Sequence, residues 1–333
     1  MDTKKKNVLK TVLTIAISVA FAGFFLWIAL KGLDFQTIQK SLARANYMWV
    51  LVSAVFGIAA YWFRAIRWNI LLEPLGHKIS HSNSLWSLSF GYLMNLTIPR
   101  SGELARATAL YGVEKVPVDQ SFGTIILERV VDLVCMLVFL AITLVFKYDA
   151  IFAFYQKSGI QMNPNKIFLV LGVLTVLGIV FFAVRNRLLH VPVIGKIVGF
   201  INGILSGLTT IFRLKQKLKF FIYTVGIWVS YLMASYLVCF ALPETSDFSI
   251  ADGCFILVVG TFGMMIPASG GIGAFNLALK FGIMALFLSM GKDPDLGAET
   301  GLIYSFISLP LQICIMLVMG LIAIPMLAKA KKI

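Results

Sequence analysis

Residues 95–106, NLTIPRSGELAR, and residues 263–274, GMMIPASGGIGA, carry the same break inside apolar stretches, 168 residues apart in a chain of 333. Proline clashes with the preceding helical turn, and the Ser-Gly pair lets the chain turn or start a new helix. Each break predicts a helical hairpin, and the offset predicts an internal repeat. Because the match is short, the alternative is that the two breaks are similar by chance or by convergent use of the same loop residues. The matching positions are Ile98 and Ile266, Pro99 and Pro267, Ser101 and Ser269, and Gly102 and Gly270.

The composition excludes a soluble globular domain, because 59% of the residues are hydrophobic and the mean hydropathy is +0.90. A spanning helix needs about 20 apolar residues, and six stretches are long enough. Two further apolar stretches, 84–98 and 253–290, are interrupted by proline and glycine. The sequence leaves open whether each of them re-enters the membrane or spans it fully. The sequence predicts an all-α polytopic membrane protein with about six spanning helices and two re-entrant hairpins. The six stretches are 8–30, 47–72, 119–146, 167–184, 220–241 and 301–327.

Three predicted spans, 119–146, 167–184 and 220–241, lie between the two breaks. Because that number is odd, the second hairpin should enter the membrane from the side opposite to the first. This arrangement is an inverted repeat, in which discontinuous helices line a site near the membrane midplane. We expect one transmembrane domain, 1–333, made of the repeat halves 1–165 and 166–333.

The basic residues behind the net charge of +14 are distributed as the positive-inside rule predicts for a membrane protein. We therefore interpret them as setting the orientation in the membrane, and not as a nucleic-acid binding surface. With a cytoplasmic N-terminus, most of the 29 basic residues fall in cytoplasmic segments and most loop acids fall outside. We expect a bacterial cytoplasmic (inner) membrane location with both termini in the cytoplasm. The three histidines are scattered without metal-ligand spacing, so neither a metal nor another cofactor is expected.

The first break, around Pro99, carries cations. A half-helix starting near Ser101, a plausible N-cap, presents unpaired N–H groups and partial positive charge, which attract phosphate or carboxylate. Arg100 and Arg106 add full positive charges. Glu103 lies three residues before Arg106 and is expected either to pair with it or to form a cap contact.

The second break has no cation. Ser269 is the corresponding cap candidate after Pro267, and three glycines permit close approach of the backbone to a ligand. The alternative is that these glycines form a small-residue pattern for helix packing. The glycines are Gly270, Gly271 and Gly273.

Charged residues inside predicted spans are a second signal, because they are costly in lipid unless paired or hydrated. Arg64 and Arg67 share a helix face at the end of a span. They either belong to a site or snorkel to the interface, where Trp62 and Trp68 would also fit.

Glu128 and Asp132 lie one helical turn apart, deep in the span 119–146, with Arg129 turned about 100° away. Two lone carboxylates there would be expensive, so a buried network with arginines is expected. That network either only joins helices or also positions the arginines for an anionic headgroup. The candidate partners are Arg64, Arg67, Arg100 and Arg106.

The succession RAIRW at 64–68, NLTIPRSGELAR at 95–106, ILERVVDL at 126–133 and IPASGGIGAFN at 266–276 resembles the lysylphosphatidylglycerol synthase transmembrane-region family, also called flippase-like domain proteins. The resemblance covers nearly the whole chain. It implies a membrane domain that moves a phospholipid or lipid-linked headgroup between leaflets. Longer relatives add a soluble aminoacyl-transfer domain, whereas only LAKAKKI follows the last span here, so that enzymatic half is not expected. The matching positions are Arg64, Arg67, Pro99, Arg100, Gly102, Glu103, Arg106, Glu128, Arg129, Asp132, Pro267, Gly270 and Gly271.

Three hypotheses follow. The first is a lipid translocase without covalent chemistry, in which arginines at the first hairpin hold the phosphate of an anionic phospholipid or lipid-linked substrate. The second is an intramembrane lipid-modifying enzyme using Glu128 and Asp132 as acid and base. The third is a scaffold for a separate soluble transferase, and a homo-oligomer is compatible with each. The candidate substrate-binding residues are Arg64, Arg67, Pro99, Arg100, Ser101, Gly102, Glu103, Arg106, Pro267, Ser269, Gly270 and Gly271, with Glu128, Arg129 and Asp132 as a coupling or structural network.

Overall fold

The computed structural model describes residues 35–98, 101–157, 214–266 and 271–330, together with five positions between 23 and 30. Within these ranges every regular element is helical, so the all-α class predicted from the sequence is confirmed. The helices are α1 (Phe35–Arg44), α2 (Tyr47–Leu72), α3 (His81–Thr97), α4 (Gly102–Glu114), α5 (Val118–Phe146), α6 (Tyr148–Lys157), α7 (Lys217–Cys239), α8 (Ile250–Met265), α9 (Ala274–Ser289) and α10 (Pro294–Ala330).

Four of the described helices, α2, α5, α7 and α10, are long and apolar enough to cross a membrane. They coincide with four of the six predicted spans. The predicted span 167–184 and most of 8–30 lie outside the described residues. Helix α10 contains Pro310 and Pro325. Proline is tolerated inside spanning helices because neighbouring groups satisfy the freed backbone.

Both breaks separate two short helices that fold back on each other. Helices α3 and α4 have 17 and 13 residues, and α8 and α9 have 16 each, so each is at most about 26 Å long. The Glu114 carboxylate closes the base of the first hairpin by accepting hydrogen bonds from Ser80 N at 3.1 Å and Asn83 Nδ2 at 2.8 Å. At the second base, Lys292 pairs with Asp247 at 2.7 Å. Each hairpin therefore returns to the end of the bundle where it entered.

The hairpins enter from opposite ends because α2 and α7 are antiparallel. Asn46 N, just before α2, donates to Ala241 O, just after α7, at 2.8 Å. At the other end, the Arg67 guanidinium lies 5.9 Å from the ring centroid of Phe220 at the start of α7. The first hairpin follows the end of α2 and the second follows the end of α7. This geometry agrees with the inverted insertion expected from counting spans.

The same order of elements occurs twice: a span, two short helices joined at a break, and a second span. The contacts between helices repeat as well. Helix α3 of the first set packs against α10 of the second, and α8 of the second packs against α5 of the first. This correspondence supports our proposal that 1–165 and 166–333 are the two halves of an inverted repeat.

The two ends of the bundle differ in charge. Lysines predominate where α2 ends and α7 begins, which we call the basic end, and acids predominate at the opposite, acidic end. By the positive-inside rule we propose that the basic end faces the cytoplasm. The basic end carries Lys78, Lys115, Lys215, Lys217 and Lys219, and the acidic end carries Glu244, Asp247, Asp252, Asp293 and Asp295.

Cysteine labelling tests this orientation in a variant whose four native cysteines are replaced by serine. We expect a membrane-impermeant maleimide to label Asp295→Cys in intact cells and to label Lys78→Cys only after permeabilisation. Both positions are exposed, so lack of access across the membrane is the only barrier to reaction. Labelling of both positions from the same side would contradict the opposite insertion of the two hairpins.

Candidate functional site

Five charged side chains are buried between α2, α4 and α5, and we call this group the arginine cluster. None of these side chains is more than 14% exposed. Their depth follows from helix geometry, since Glu128 lies about 15 Å along α5 from its first residue. The members are Arg64 and Arg67 of α2, Arg106 of α4, and Glu128 and Asp132 of α5.

Two carboxylates bridge the three guanidinium groups of the cluster. Glu128 Oε2 accepts from Arg106 Nη1 at 2.6 Å, and its Oε1 lies 3.7 Å from Arg67 Nε. Asp132 Oδ1 accepts from Arg67 Nη2 at 2.9 Å, and its Oδ2 pairs with Arg64 Nη2. The network expected for Glu128 and Asp132 therefore forms. The snorkelling alternative for Arg64 and Arg67 is wrong, because both side chains are buried and pair with the carboxylates of α5.

The charges of the cluster do not balance. Three guanidinium groups face two carboxylates, which leaves one formal positive charge in excess. Several donors are also unused, since Arg67 Nη1 and Arg106 Nη2 are buried and have no hydrogen-bond partner among the described residues. Buried, unpaired donors and uncompensated charge are costly in a medium of low dielectric constant. An additional anion with several acceptor oxygens would satisfy both deficits.

Aromatic residues complete the cluster. The Arg106 guanidinium carbon lies 3.6 Å from the Trp68 ring centroid, a cation–π contact, and Trp68 Nε1 donates to Thr124 Oγ1 at 2.9 Å. Arg64 Nη1 donates to the Tyr92 hydroxyl at 2.5 Å. Sequence reasoning missed both aromatic partners. It placed Trp68 at the membrane interface, yet that side chain is fully buried. The available signal was that Trp68 follows Arg64 by four residues, which places both side chains on the same face of α2.

A second ion pair lies at the edge of the cluster. Arg129 Nε donates to Glu103 Oε1 at 2.8 Å, and the two side chains are 46% and 37% exposed. Of the two alternatives for Glu103, the pairing with Arg106 is wrong, because Arg106 turns to the buried Glu128 instead. Arg129 also lies 4.0 Å from Asp132 Oδ2. This pair joins α4 to α5 on the outer surface of the site.

The tip of the first hairpin is capped differently from the sequence expectation. Ser101 occupies the N-cap position of α4, but its hydroxyl shares its one hydrogen between the Ile98 and Met94 carbonyl oxygens, at 2.8 and 3.0 Å. Asn95 Oδ1 accepts instead from Gly102 N at 2.7 Å. The first helical amide of α4 is thus already satisfied. Pro99 and Arg100 lie outside the described residues.

At the second break, Pro267, Ser269 and Gly270 lie outside the described residues. Gly271 has φ +76°, a backbone conformation that residues with a side chain rarely adopt, so this position favours glycine. Nearby, Asn276 Nδ2 donates to Ser305 Oγ at 2.7 Å, a buried neutral pair. Among the described residues, no hydrogen bond or ion pair joins this tip to the arginine cluster.

These features define an all-α membrane protein with two oppositely inserted helical hairpins and a buried cluster of charges beside the first. Residues 15–322 match the family described as the lysylphosphatidylglycerol synthase TM region, and the chain belongs to that family. It is therefore a multi-pass membrane protein of a family connected with lipid biology.

Among known proteins, the chain is similar to a UPF0104 membrane protein of Methanocaldococcus jannaschii, with 25% identity over 193 residues. The aligned region covers 56% of this chain and 54% of that relative, so the match spans about half the length of each. No solved structure matches the chain.

Proposed function

We propose that the protein is a lipid translocase that moves an anionic phospholipid or lipid-linked headgroup between leaflets. The observation that carries this proposal is the excess positive charge of the arginine cluster, together with its unused guanidinium donors. Guanidinium groups bind phosphate oxygens in a bidentate geometry, so a phosphodiester fits the deficit in both charge and hydrogen bonds. We assign Arg106 and Arg67 the role of holding the phosphate.

Membership in the family supports a lipid as the substrate. The position of the cluster supports movement of that lipid, because discontinuous helices entering from opposite sides are typical of transporters with alternating access. We also propose that Pro99, Arg100, Pro267, Ser269 and Gly270 contribute to the lipid site at the two hairpin tips, and that the protein lies in a bacterial cytoplasmic membrane. A separate soluble transferase and a second copy of the chain are its proposed partners.

An apolar cavity of about 360 Å³ between α2, α3 and α10 suits the lipid tails. Val55, Ile58 and Trp62 form its α2 wall, and each is largely exposed on the surface that would face lipid. Trp62 and Arg64 lie at a similar height along α2 but on nearly opposite faces, so the cavity is at the depth of the cluster and does not open onto it. We propose an acyl chain as its occupant, because acyl chains surround a spanning helix on its apolar side.

Translocation in liposomes tests the proposal. The protein is reconstituted with fluorescently labelled phosphatidylglycerol, and dithionite added outside bleaches lipid that reaches the outer leaflet. We expect Arg106→Gln to slow bleaching by about tenfold or more, the effect of losing one charge-assisted contact. Arg106→Lys keeps the positive charge but lacks the planar guanidinium group, so its bleaching rate should lie between those of the wild type and Arg106→Gln.

The matched control is Lys115→Gln, which removes one positive charge from the exposed end of the same helix. Its rate should equal that of the wild type. Thermal unfolding of each variant separates loss of transport from loss of fold. If wild type, Arg106→Gln and protein-free liposomes bleach alike for phosphatidylglycerol, cardiolipin and phosphatidic acid, the translocase proposal fails.

A further inference from the structure

A polar cavity of about 310 Å³ lies at the basic end, between the end of α2, the start of α3 and the start of α7. It is separate from the arginine cluster, because the cavity and the cluster lie on different faces of α2. Ile66 and Ile70 line the cavity, whereas Arg67 points to the carboxylates of α5. The polar residues of its wall that matter here are Asn69, Glu73, His77, Lys78, His81 and Lys219.

The charge of the cavity is positive. Lys78 and Lys219 line it and form no ion pair with any residue in the described ranges. Its one carboxylate, Glu73, accepts a hydrogen bond from Gln216 Nε2 at 2.5 Å. With both histidines neutral, two ammonium groups still face one carboxylate. The N-terminus of α3, which begins at His81 on the same wall, is already capped by the Glu114 carboxylate through Ser80 N and Asn83 Nδ2, so the positive charge of the cavity comes from the two lysines.

Hydrogen bonds fix the polar groups of this wall. Asn69 Oδ1 accepts from the Ser84 hydroxyl, which leaves Nδ2 as its donor to Ile79 O at 3.2 Å. The same Nδ2 lies 2.9 Å from His81 Nδ1, so Nδ1 is the acceptor and the hydrogen of the neutral ring is on Nε2. His81 therefore keeps an N–H donor for a ligand. A fixed donor beside two flexible ammonium groups suits a tetrahedral oxyanion.

We infer that this cavity is a second anion-binding site, which takes a phosphate group from the water at the basic end. Its volume lies within the usual range for small-ligand pockets. The phosphate could be free inorganic phosphate or the phosphodiester of a lipid headgroup, which share the same chemistry. The inference does not depend on translocation, because none of the residues that line this cavity belongs to the arginine cluster.

Equilibrium binding to the purified full chain in nonionic detergent tests the inference. The probes are inorganic phosphate and water-soluble dihexanoyl phosphatidylglycerol, with dihexanoyl phosphatidylcholine as the zwitterionic reference. We expect saturable binding of at least one anionic probe, weakened about tenfold or more in Lys78→Gln/Lys219→Gln, because charge-assisted contacts are lost.

The control is Lys115→Gln/Lys217→Gln, which removes the same charge from the same end but from residues that do not line the cavity. Its affinity should stay within about twofold of the wild type, since exposed charges are screened by salt. Binding of inorganic phosphate identifies a soluble phosphate ligand, and binding of the lipid alone identifies a headgroup. Equal weakening in both double variants, or no saturable binding of either anionic probe, overturns the inference.

Discussion

We expect Glu128→Gln to lower the free energy of unfolding by about 3–5 kcal/mol, the usual cost of removing one partner from a buried ion pair. Glu128 is 2% exposed and contacts both Arg106 and Arg67. Without its charge, three guanidinium groups would face Asp132 alone, so the excess positive charge would rise from one to two. Arg106→Gln changes the balance in the other direction, to neutrality, and should destabilise the protein less.

Equilibrium unfolding in mixed detergent micelles and the thermal midpoint measure this loss. The control is Glu103→Gln, which breaks the half-exposed pair with Arg129 and should cost about 1 kcal/mol or less. The double variant Arg106→Gln/Glu128→Gln should recover part of the stability, since its cluster again has one excess charge. If Glu128→Gln is no less stable than Glu103→Gln, the cluster is not held together by the charges described here.

Four of the six predicted spans and the two hairpins occur in the described part of the chain, and they were predictable from the sequence because hydropathy and proline act locally. A run of about 20 apolar residues crosses lipid wherever the rest of the chain lies. Each break combines proline with a Ser-Gly pair that lets the chain turn, whereas Pro310 and Pro325, which lack that pair, stay within α10. Even the opposite entry of the hairpins follows from counting spans, and the antiparallel packing of α2 and α7 agrees with it.

The partners within the site were less predictable, since they depend on which helix covers which face. Glu103 and Arg106 are three residues apart on one helix, a spacing that favours a local pair. In the structure each turns to α5 instead, Glu103 to Arg129 and Arg106 to Glu128. Helical periodicity shows which side chains share a face of α4. Only the packing of α4 against α5 determines which of those side chains meets an oppositely charged group.

The cap of α4 shows the same limit. Serine at the N-cap position is a strong local signal. It is overridden because the tight hairpin brings Asn95 of the preceding helix to the Gly102 amide. That approach depends on glycines at the crossing of α3 and α4, so the packing of the hairpin determines both the cap and the position of Arg106.

Because the crossing of α3 and α4 positions Arg106, we expect Gly91→Ala to slow lipid translocation by about tenfold or more, the same effect that we expect of Arg106→Gln. A Cβ at position 91 would lie 2.6 Å from the Gly102 carbonyl oxygen and 2.9 Å from the Arg106 Cβ. The backbone oxygen cannot rotate away, so α4 must shift from α3 and carry Arg106 from its place over Trp68. Overpacking of this kind costs about 1–3 kcal/mol.

Gly112→Ala is the matched control for Gly91→Ala, because Gly112 lies in α4 and a Cβ there meets nothing within 4 Å. It should leave translocation unchanged and raise stability by about 0.5–1 kcal/mol, since alanine favours a helix over glycine. Both variants are measured in the liposome assay and by thermal unfolding. If Gly91→Ala transports lipid as fast as Gly112→Ala, the position of Arg106 does not control translocation, and the hairpin then acts only as packing.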